Sequence, residues 1–534
     1  MRKLVLLIML VCTLFGGITA SARQDKAVVD AFPADPTTFN TVTWVESVDS
    51  YVQDLVFPSL SLTNLETGLP EPYLAEWEIS PDGLTYTFTI RDDAFWSDGL
   101  PITSTDVAFT LNAMFSPNVQ TFRTINGLDS INVIDDKHFE IVLTNPTCNL
   151  FSDLEIGIMP AHKFAADYSD FMTSDFNNNP DVSGGPFILT DRSVDEYLRF
   201  EANDTFFMGR PNIDQYLAQV IVDPQVRIQA VESGQADYAL GLRSDQIGPF
   251  KDNPSFNLHP REANGWIVIL FNLADPAQPM PAHDENGNLI DQPPHPILGD
   301  TRVRQALIMG WDHEDGVFLT GEGARRLVGP VAPILTDYYD NDLELYPYDP
   351  EAAAALLDEA GWVTNGDVRE KDGVPLALNL VYVPGFEDYA AVVADYWKAL
   401  GVDVELTTGE QGQIINDYVA SQTFDTFIIQ AGWPEPSPDV LLNFMWNSAN
   451  DFGTDFSSFA NAEFDGILAQ LTTAACTVEA RQPLYYRLQE IIHDDAVSDF
   501  ISTTVDYMVT SARIGNVEIT AWGQTPVWEW TVSD

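Results

Sequence analysis

Basic side chains are scarce in this chain. Twenty-five Lys and Arg accompany 80 Asp and Glu, and the formal net charge is -55 over 534 residues. A protein that binds nucleic acid needs clustered Lys and Arg to contact phosphates, so we expect no nucleic-acid partner. The excess of carboxylates either attracts cationic ligands or forms a solvated acidic shell, and we favour the shell.

Long apolar runs are also missing beyond the first residues. The run Leu4–Ile18 follows two basic residues and precedes small residues at 20–22. This order is typical of a secretory signal peptide, so we predict a signal peptide at 1–22. We therefore expect an exported protein in the periplasm or on the cell-envelope exterior. No later segment has the roughly 20 apolar residues that a membrane helix needs.

Cysteine is rare. Of three cysteines, Cys12 lies inside the signal peptide, which leaves Cys148 and Cys476 in the mature chain. Export permits a disulfide, but these two residues fall in regions that we assign below to different domains. We therefore expect two isolated small apolar side chains.

Motifs of enzymes and metal sites are missing as well. The chain has no Gly-x-Ser-x-Gly, His-Glu-x-x-His or Cys-x-x-Cys, and its seven histidines are scattered. Asp284, Asn286 and Asn288 have the spacing of half a calcium loop, but His295 stands where that loop needs a glutamate. We predict a polar turn there, with no catalytic residue, metal site or cofactor. A carboxylate pair suited to glycoside hydrolysis stays open, because carboxylates are so many.

The chain does contain alternating helix and strand patterns, over a length too great for one core. Apolar residues alternate with Thr in Leu84–Ile90, which predicts a half-buried strand. Thr103 stands three residues before Asp106 and predicts a capped helix. The apolar run Trp266–Leu273 predicts a strand buried on both faces. Pro350–Ala360, between an Asp cap and a Gly stop, predicts another helix.

A long ordered segment carries a family resemblance. Residues 72–111, PYLAEWEISPDGLTYTFTIRDDAFWSDGLPITSTDVAFTL, join a strand, a turn and a capped helix, and three blocks follow in order: DTRVRQALIMGWDHED (300–315), YDPEAAAALLDEAGW (348–362) and NAEFDGILAQ (461–470). Together they resemble the extracytoplasmic solute-binding proteins of ABC importers, in the dipeptide, oligopeptide and nickel class (solute-binding family 5). The resemblance extends from about residue 28 to residue 505.

The resemblance implies an α/β, two-lobed, periplasmic-binding-protein-like fold of the class II type, with an extra accessory domain and a hinged ligand cleft. Carried over to this chain, lobe I comprises 23–66, 184–262 and 505–534, the accessory domain 67–183, and lobe II 263–504. The segments Glu262–Gly265 and Ser502–Asp506 cross between the lobes and would form the hinge.

One aromatic residue stands out as a ligand-binding candidate. The apolar stretch FDTFIIQ (424–430) runs into Trp433, and a Pro-rich loop follows. A Trp at a strand end either closes a core or offers a flat apolar surface to a ligand. In the resembled family this segment lines the ligand cleft, which implies that Trp433 contacts the ligand.

The same loop departs from the family pattern. Peptide-binding members have an Asp four residues before a Pro, where it pairs with the peptide amine. Counting back from Pro438 or Pro436 gives Pro434 or Gly432, and neither is acidic. Glu435 or Asp439 could substitute, and neutral oligosaccharides stay open as ligands.

Four further residues are assigned to the predicted site by their alignment with family positions. Trp44, Val45 and Glu46 align with the first-lobe segment that meets the ligand backbone in the family. Thr503 aligns with a position near the second crossing.

We predict that the chain is no enzyme. It would be the substrate-binding component of an ABC transporter, a monomer that captures a peptide or similar small oligomer between two lobes. It would deliver this ligand to the permease and ATPase complex. The alternatives are an oligosaccharide-binding protein of the same fold, a ligand sensor that docks on a receptor, and a secreted hydrolase.

Overall fold

We describe a computed structural model of the chain. It covers residues 26–43, 47–121, 123–148, 150–280, 283–284, 288–432, 437–448, 457–472 and 474–533. The predicted signal peptide at 1–22 lies outside the described residues.

The strands of these residues are short in the first half of the chain and longer at the centre of the fold. In chain order they are β1 Ala27–Phe32, β2 Ser61–Thr63, β3 Pro70–Pro72, β4 Ala75–Ile79, β5 Thr85–Ile90, β6 Leu128–Val133, β7 His138–Leu143, β8 Phe187–Ser193, β9 Tyr197–Ala202, β10 Gln215–Val220, β11 Tyr238–Leu242, β12 Phe256–Phe271, β13 Val363–Asn365, β14 Val368–Lys371, β15 Val374–Pro375, β16 Ala377–Tyr382, β17 Asp403–Thr408, β18 Thr426–Gly432, β19 Ser498–Ser511, β20 Ile514–Gly515, β21 Ile519–Thr520, β22 Gly523–Gln524 and β23 Thr531–Val532.

Helices pack around these strands. They are α1 Ser47–Val56, α2 Ser104–Ala113, α3 Leu150–Asp153, α4 Pro224–Glu232, α5 Thr301–Met309, α6 His313–Thr320, α7 Pro350–Glu359, α8 Glu387–Ala399, α9 Gln411–Ile414, α10 Asp439–Trp446, α11 Ala462–Leu471 and α12 Val478–Asp494. A π-helical turn, Ile415–Val419, continues α9. Short 3₁₀ turns lie at Ala161–Lys163, Asp175–Asn177 and Val527–Glu529.

A ten-stranded mixed sheet runs through the molecule in the order β17-β16-β18-β12-β19-β11-β1-β10-β9-β8. Its parallel pairs include β1 with β10, which are distant in sequence, and β16 with β17, which α8 connects. At its centre β12 and β19 form a long antiparallel pair, from Phe256 opposite Ser511 to Leu270 opposite Ser498. These two strands carry the predicted crossing segments, so the connection between the lobes is a hydrogen-bonded ribbon.

A separate antiparallel sheet, β4-β5-β7-β6, lies in the predicted accessory region. Its core side chains, such as Phe88 and Phe139, belong to the same apolar cluster as Val28 and Phe200 of predicted lobe I. Two other clusters lie within predicted lobe II. Because the accessory sheet shares its core with lobe I, we treat these two parts as one half of the molecule and lobe II as the other. The domain boundaries themselves stay a prediction.

The local sequence signals agree with the structure. The alternating stretch forms β5, and α2 begins after Thr103, whose backbone N–H donates to the Asp106 carboxylate at 2.9 Å. The side chains of Trp266–Phe271 are buried, as expected for a strand covered on both faces. Asp349 caps α7 through the N–H of Ala352 at 2.9 Å.

The expectation of two isolated cysteines is wrong. Cys148 and Cys476 form a disulfide, with their Cα atoms 5.4 Å apart. The assignment to different domains misled the prediction, because the loop after β7 and the turn before α12 meet where the two halves of the molecule face each other.

Candidate ligand cleft

β12 and β18 run side by side up to the first crossing segment. Gly265 on β12 pairs with Gly432, the last residue of β18. A Cβ on Gly265 would lie 2.6 Å from the Ala431 carbonyl oxygen and 2.7 Å from the Gly432 Cα. Glycine at 265 therefore permits this close approach, which brings the end of β18 against the first crossing strand.

Thr503 lies on the second crossing strand and is fully buried. Its hydroxyl oxygen accepts the Arg325 N–H at 3.0 Å, and its own N–H donates to the Arg325 carbonyl at 2.8 Å. The Arg325 guanidinium in turn pairs with Glu262 on the first crossing strand at 2.7 Å. Thr503 thus attaches the 325 segment to the hinge ribbon, and its contact with a ligand stays a prediction.

Charged groups gather on the lobe I side of this ribbon. Arg261 and Asp506 form an ion pair between β12 and β19. Tyr51 of α1 lies near this pair and is 38% exposed. Burial raises the pKa of Tyr51, and the Arg261 charge acts in the opposite direction. Tyr51 therefore lies beside the hinge ribbon with part of its side chain exposed.

Asp54 follows Tyr51 by three residues, on the same face of α1. Asp54 is exposed at the surface, although protein atoms are dense around its carboxyl group. The pKa of Asp54 is raised to about 7, first by burial and then by the negative charge of Glu155, while Arg123 acts in the opposite direction. At neutral pH this carboxylate takes up and releases a proton easily, so its charge responds to a nearby cation.

A cavity of about 200 Å³ lies between the two halves. Residues of predicted lobe I and the accessory region line one side, and lobe II residues line the other; they include Thr63, Glu155, Cys148, Tyr338, Cys476 and Arg481. The Thr63 hydroxyl donates to Glu155 at 3.1 Å. A second cavity of about 360 Å³ adjoins Cys148 and Arg481 and is also lined by Asp439. Both cavities carry polar and charged side chains.

Asp439 is held by a buried network. It begins α10, and its carboxylate accepts hydrogen bonds from the Arg481 guanidinium and the Tyr485 hydroxyl of α12. Arg481 is 4% exposed. Burial lowers the pKa of Arg481, but the charges and hydrogen bonds of Asp439 and Tyr485 together outweigh burial, and the net shift is upward. Burial, together with Asp439, raises the pKa of Tyr485 far above its usual range. Asp439 therefore balances a protein cation.

Most of the predicted site residues cannot be placed. Trp433 and Glu435, and likewise Trp44, Val45 and Glu46, lie outside the described residues. Their neighbours are described: β18 ends at Gly432, and α1 begins at Ser47. Their ligand contacts stay predictions.

Tyr51, Asp54 and Arg481 were not among the predicted site residues. The i, i+3 spacing of Tyr51 and Asp54 was the available signal for α1. No short sequence motif indicates the role of Arg481, because its partners Asp439 and Cys148 are distant in sequence.

The residues that the structure describes contain no group of three or more His, Cys, Asp or Glu arranged to hold a metal ion. Within the same ranges, no helix has the length and apolar character needed to cross a membrane.

Two halves joined by crossing strands, with a polar cavity between them, define a hinged, two-lobed ligand-binding protein. Residues 70–453 match the family model of the bacterial extracellular solute-binding proteins, family 5. The chain belongs to this family of extracytoplasmic, non-enzymatic proteins and is the substrate-binding component of an ABC transporter. The predicted family and fold class are confirmed.

Relatives in the family differ in what they bind. The chain is 25% identical over 473 residues to the heme-binding protein A of Haemophilus influenzae, covering 83% of this chain and 81% of that protein. It is 24% identical to the nickel-binding periplasmic protein of Escherichia coli, covering 95% and 94%. The fold matches the oligopeptide-binding protein AppA of Bacillus subtilis in complex with a nonapeptide, with a TM-score of 0.72, 22% identity and coverage of 95% and 99%.

Proposed function

We propose that this protein captures a short peptide between its two halves and delivers it to the permease. The observation that carries the proposal is the charge arrangement around the 200 Å³ cavity. Glu155 lines it from the first half, and Arg481 lines it from lobe II. A peptide with a free N-terminus carries an ammonium group, which the carboxylate of Glu155 complements, whereas Asp439 already balances the charge of Arg481.

Asp54 supports the same ligand class. Its carboxylate lies near Glu155 and Arg123, as their effects on its pKa show. A peptide ammonium near Asp54 would favour its charged form and lower its pKa, because an opposite charge stabilises the carboxylate. Binding of a free-amine peptide near pH 7 would then release a proton from the protein.

Asp439 contributes less to amine recognition than the sequence suggested, because Arg481 and Tyr485 already occupy its carboxylate. Of the two acidic substitutes in the loop, Glu435 is then the better candidate for an additional amine contact. A neutral oligosaccharide, which would stack on Trp433, is the second candidate ligand.

The ligand class can be tested by native mass spectrometry of protein purified under mild conditions, followed by calorimetry. Trialanine, N-acetyl-trialanine, maltotriose, a nickel–histidine complex and hemin would be titrated separately. We expect binding of trialanine, and Glu435→Gln should weaken it far more than it weakens N-acetyl-trialanine. Preference for maltotriose, the nickel complex or hemin would overturn the peptide proposal.

A further inference from the structure

The disulfide joins the two halves of the molecule. Cys148 lies just before α3, whose Leu150 belongs to the apolar core shared by lobe I and the accessory sheet. Cys476 lies just before α12, whose Tyr485 and Leu488 belong to a lobe II core. Each sulfur is therefore attached close to a packed core on its own side. A force on the bridge would pass directly into both halves.

This bridge adds a covalent connection to the hinge ribbon. If the domains have the predicted boundaries, the backbone crosses between the two halves twice, once in β12 and once in β19. A hinge of two strands lets the halves swing apart. A disulfide keeps its two Cα atoms within ~7 Å of each other, and here they are 5.4 Å apart. An opening motion that separates residues 148 and 476 is therefore blocked while the bond is intact.

Polar contacts reinforce the bridge at the same boundary. One terminal nitrogen of Arg481 donates to the Cys148 sulfur at 2.7 Å, and the other donates to Asp439 and Tyr485. Arg481 thus extends the lobe II network to the opposite half. Cys148 and Arg481 line both cavities of the cleft. The bridge is part of the cavity wall.

We propose that the Cys148–Cys476 disulfide is a tether across the ligand cleft that limits how far the lobes open. The ligand-free, oxidised protein then stays close to its closed form, and its ligand enters and leaves through a partial opening. This inference needs the two-lobed hinge but not a peptide ligand, so it can stand if the proposed ligand class fails.

The test compares ligand-free wild-type protein with Cys148→Ser/Cys476→Ser by small-angle X-ray scattering. Both are unfolded in guanidinium chloride without reductant to remove bound ligand and then refolded. A compact chain of this length has a radius of gyration of about 24 Å. We expect the wild type to stay near this value and the variant to show a larger radius, because its lobes can separate.

A second measurement avoids dependence on the variant's folding. Folded wild-type protein is treated with dithiothreitol, whose two thiols give two electrons and two protons to the cystine and become a cyclic disulfide. Two protein thiols form. The radius should rise as in the variant and fall again on reoxidation, while circular dichroism shows unchanged secondary structure.

Equal radii for oxidised, reduced and Ser-substituted protein would overturn the tether, since the bond would then restrain nothing. Two free thiols in the exported protein, titrated after unfolding without reductant, would also overturn it. The single variant Cys476→Ser serves as a matched comparison. It should open like the double variant, because losing either sulfur breaks the same bond.

Discussion

Replacing Asp439 by Asn separates its structural role from its predicted ligand role. The substitution keeps the shape of the side chain but removes the charge that balances Arg481. The Arg481 side chain is 5% exposed and that of Asp439 is 20% exposed, so water cannot replace the lost charge easily. Breaking a buried pair by removing one partner costs about 3–5 kcal/mol. Asn keeps one acceptor oxygen, so we expect about 3 kcal/mol.

The expected loss is large enough to measure by calorimetry. For a unit the size of lobe II, a loss of about 1 kcal/mol in the free energy of unfolding lowers the melting temperature by roughly 2–4 °C. The expected loss of about 3 kcal/mol therefore lowers the melting temperature of that unit by roughly 6–12 °C. Asp367→Asn, at an exposed position in the same lobe, removes the same charge and serves as control. It should change the melting temperature by less than about 2 °C, as expected for a surface substitution.

A double variant sharpens the test. The double variant Arg481→Met/Asp439→Asn removes both charges and leaves no buried charge without a partner. Its loss of stability should therefore be smaller than the summed losses of the two single variants. The reasoning fails if Asp439→Asn leaves the melting temperature unchanged while free-amine peptides lose affinity. That result would make Asp439 an amine anchor and not the partner of Arg481.

Three further predictions follow from single features. Trp433→Ala should weaken ligand binding by ~10- to 150-fold in calorimetry and leave the ligand-free melting temperature nearly unchanged. This range follows from burying ~100–150 Å² of indole surface at ~25 cal/mol per Å², reduced by the cost of ordering the side chain. A large fall in melting temperature with intact affinity would show a core role instead. The pKa of buried Asp30 is raised from 3.8 to about 7 by burial, while the Tyr216 hydroxyl donates to it at 2.6 Å. Between pH 3.8 and about 7 the folded protein therefore keeps a proton on Asp30 that the unfolded chain has lost. The free energy of unfolding falls as pH rises from about 4 to 7, by at most about 1.4 kcal/mol per pH unit. Asp30→Asn should flatten this slope in denaturant titrations, and an unchanged slope would assign it to other groups. N-terminal sequencing of the exported protein should begin near Arg23, whereas a mature form starting at a lipid-modified Cys12 would contradict the predicted cleavage.

The sequence by itself determined the local structure and the family. The period of two in β5, the Thr103 cap of α2 and the Asp349 cap of α7 depend on residues within a few positions of each other, so the printed order contains the necessary information. The long ordered resemblance likewise predicted the two-lobed α/β fold, because it rests on the order of whole segments along the chain.

Only the tertiary structure decided which distant groups meet. Cys148 and Cys476 are 328 positions apart, and Asp439 and Arg481 are 42 apart; nothing in their neighbours specifies either pairing. The placement of α1 brings Tyr51 near Arg261 and Asp506, which are distant in sequence. Such contacts depend on how the two halves face each other. That arrangement follows from the summed packing of the cores and the path of β12 and β19, and a short sequence window contains neither.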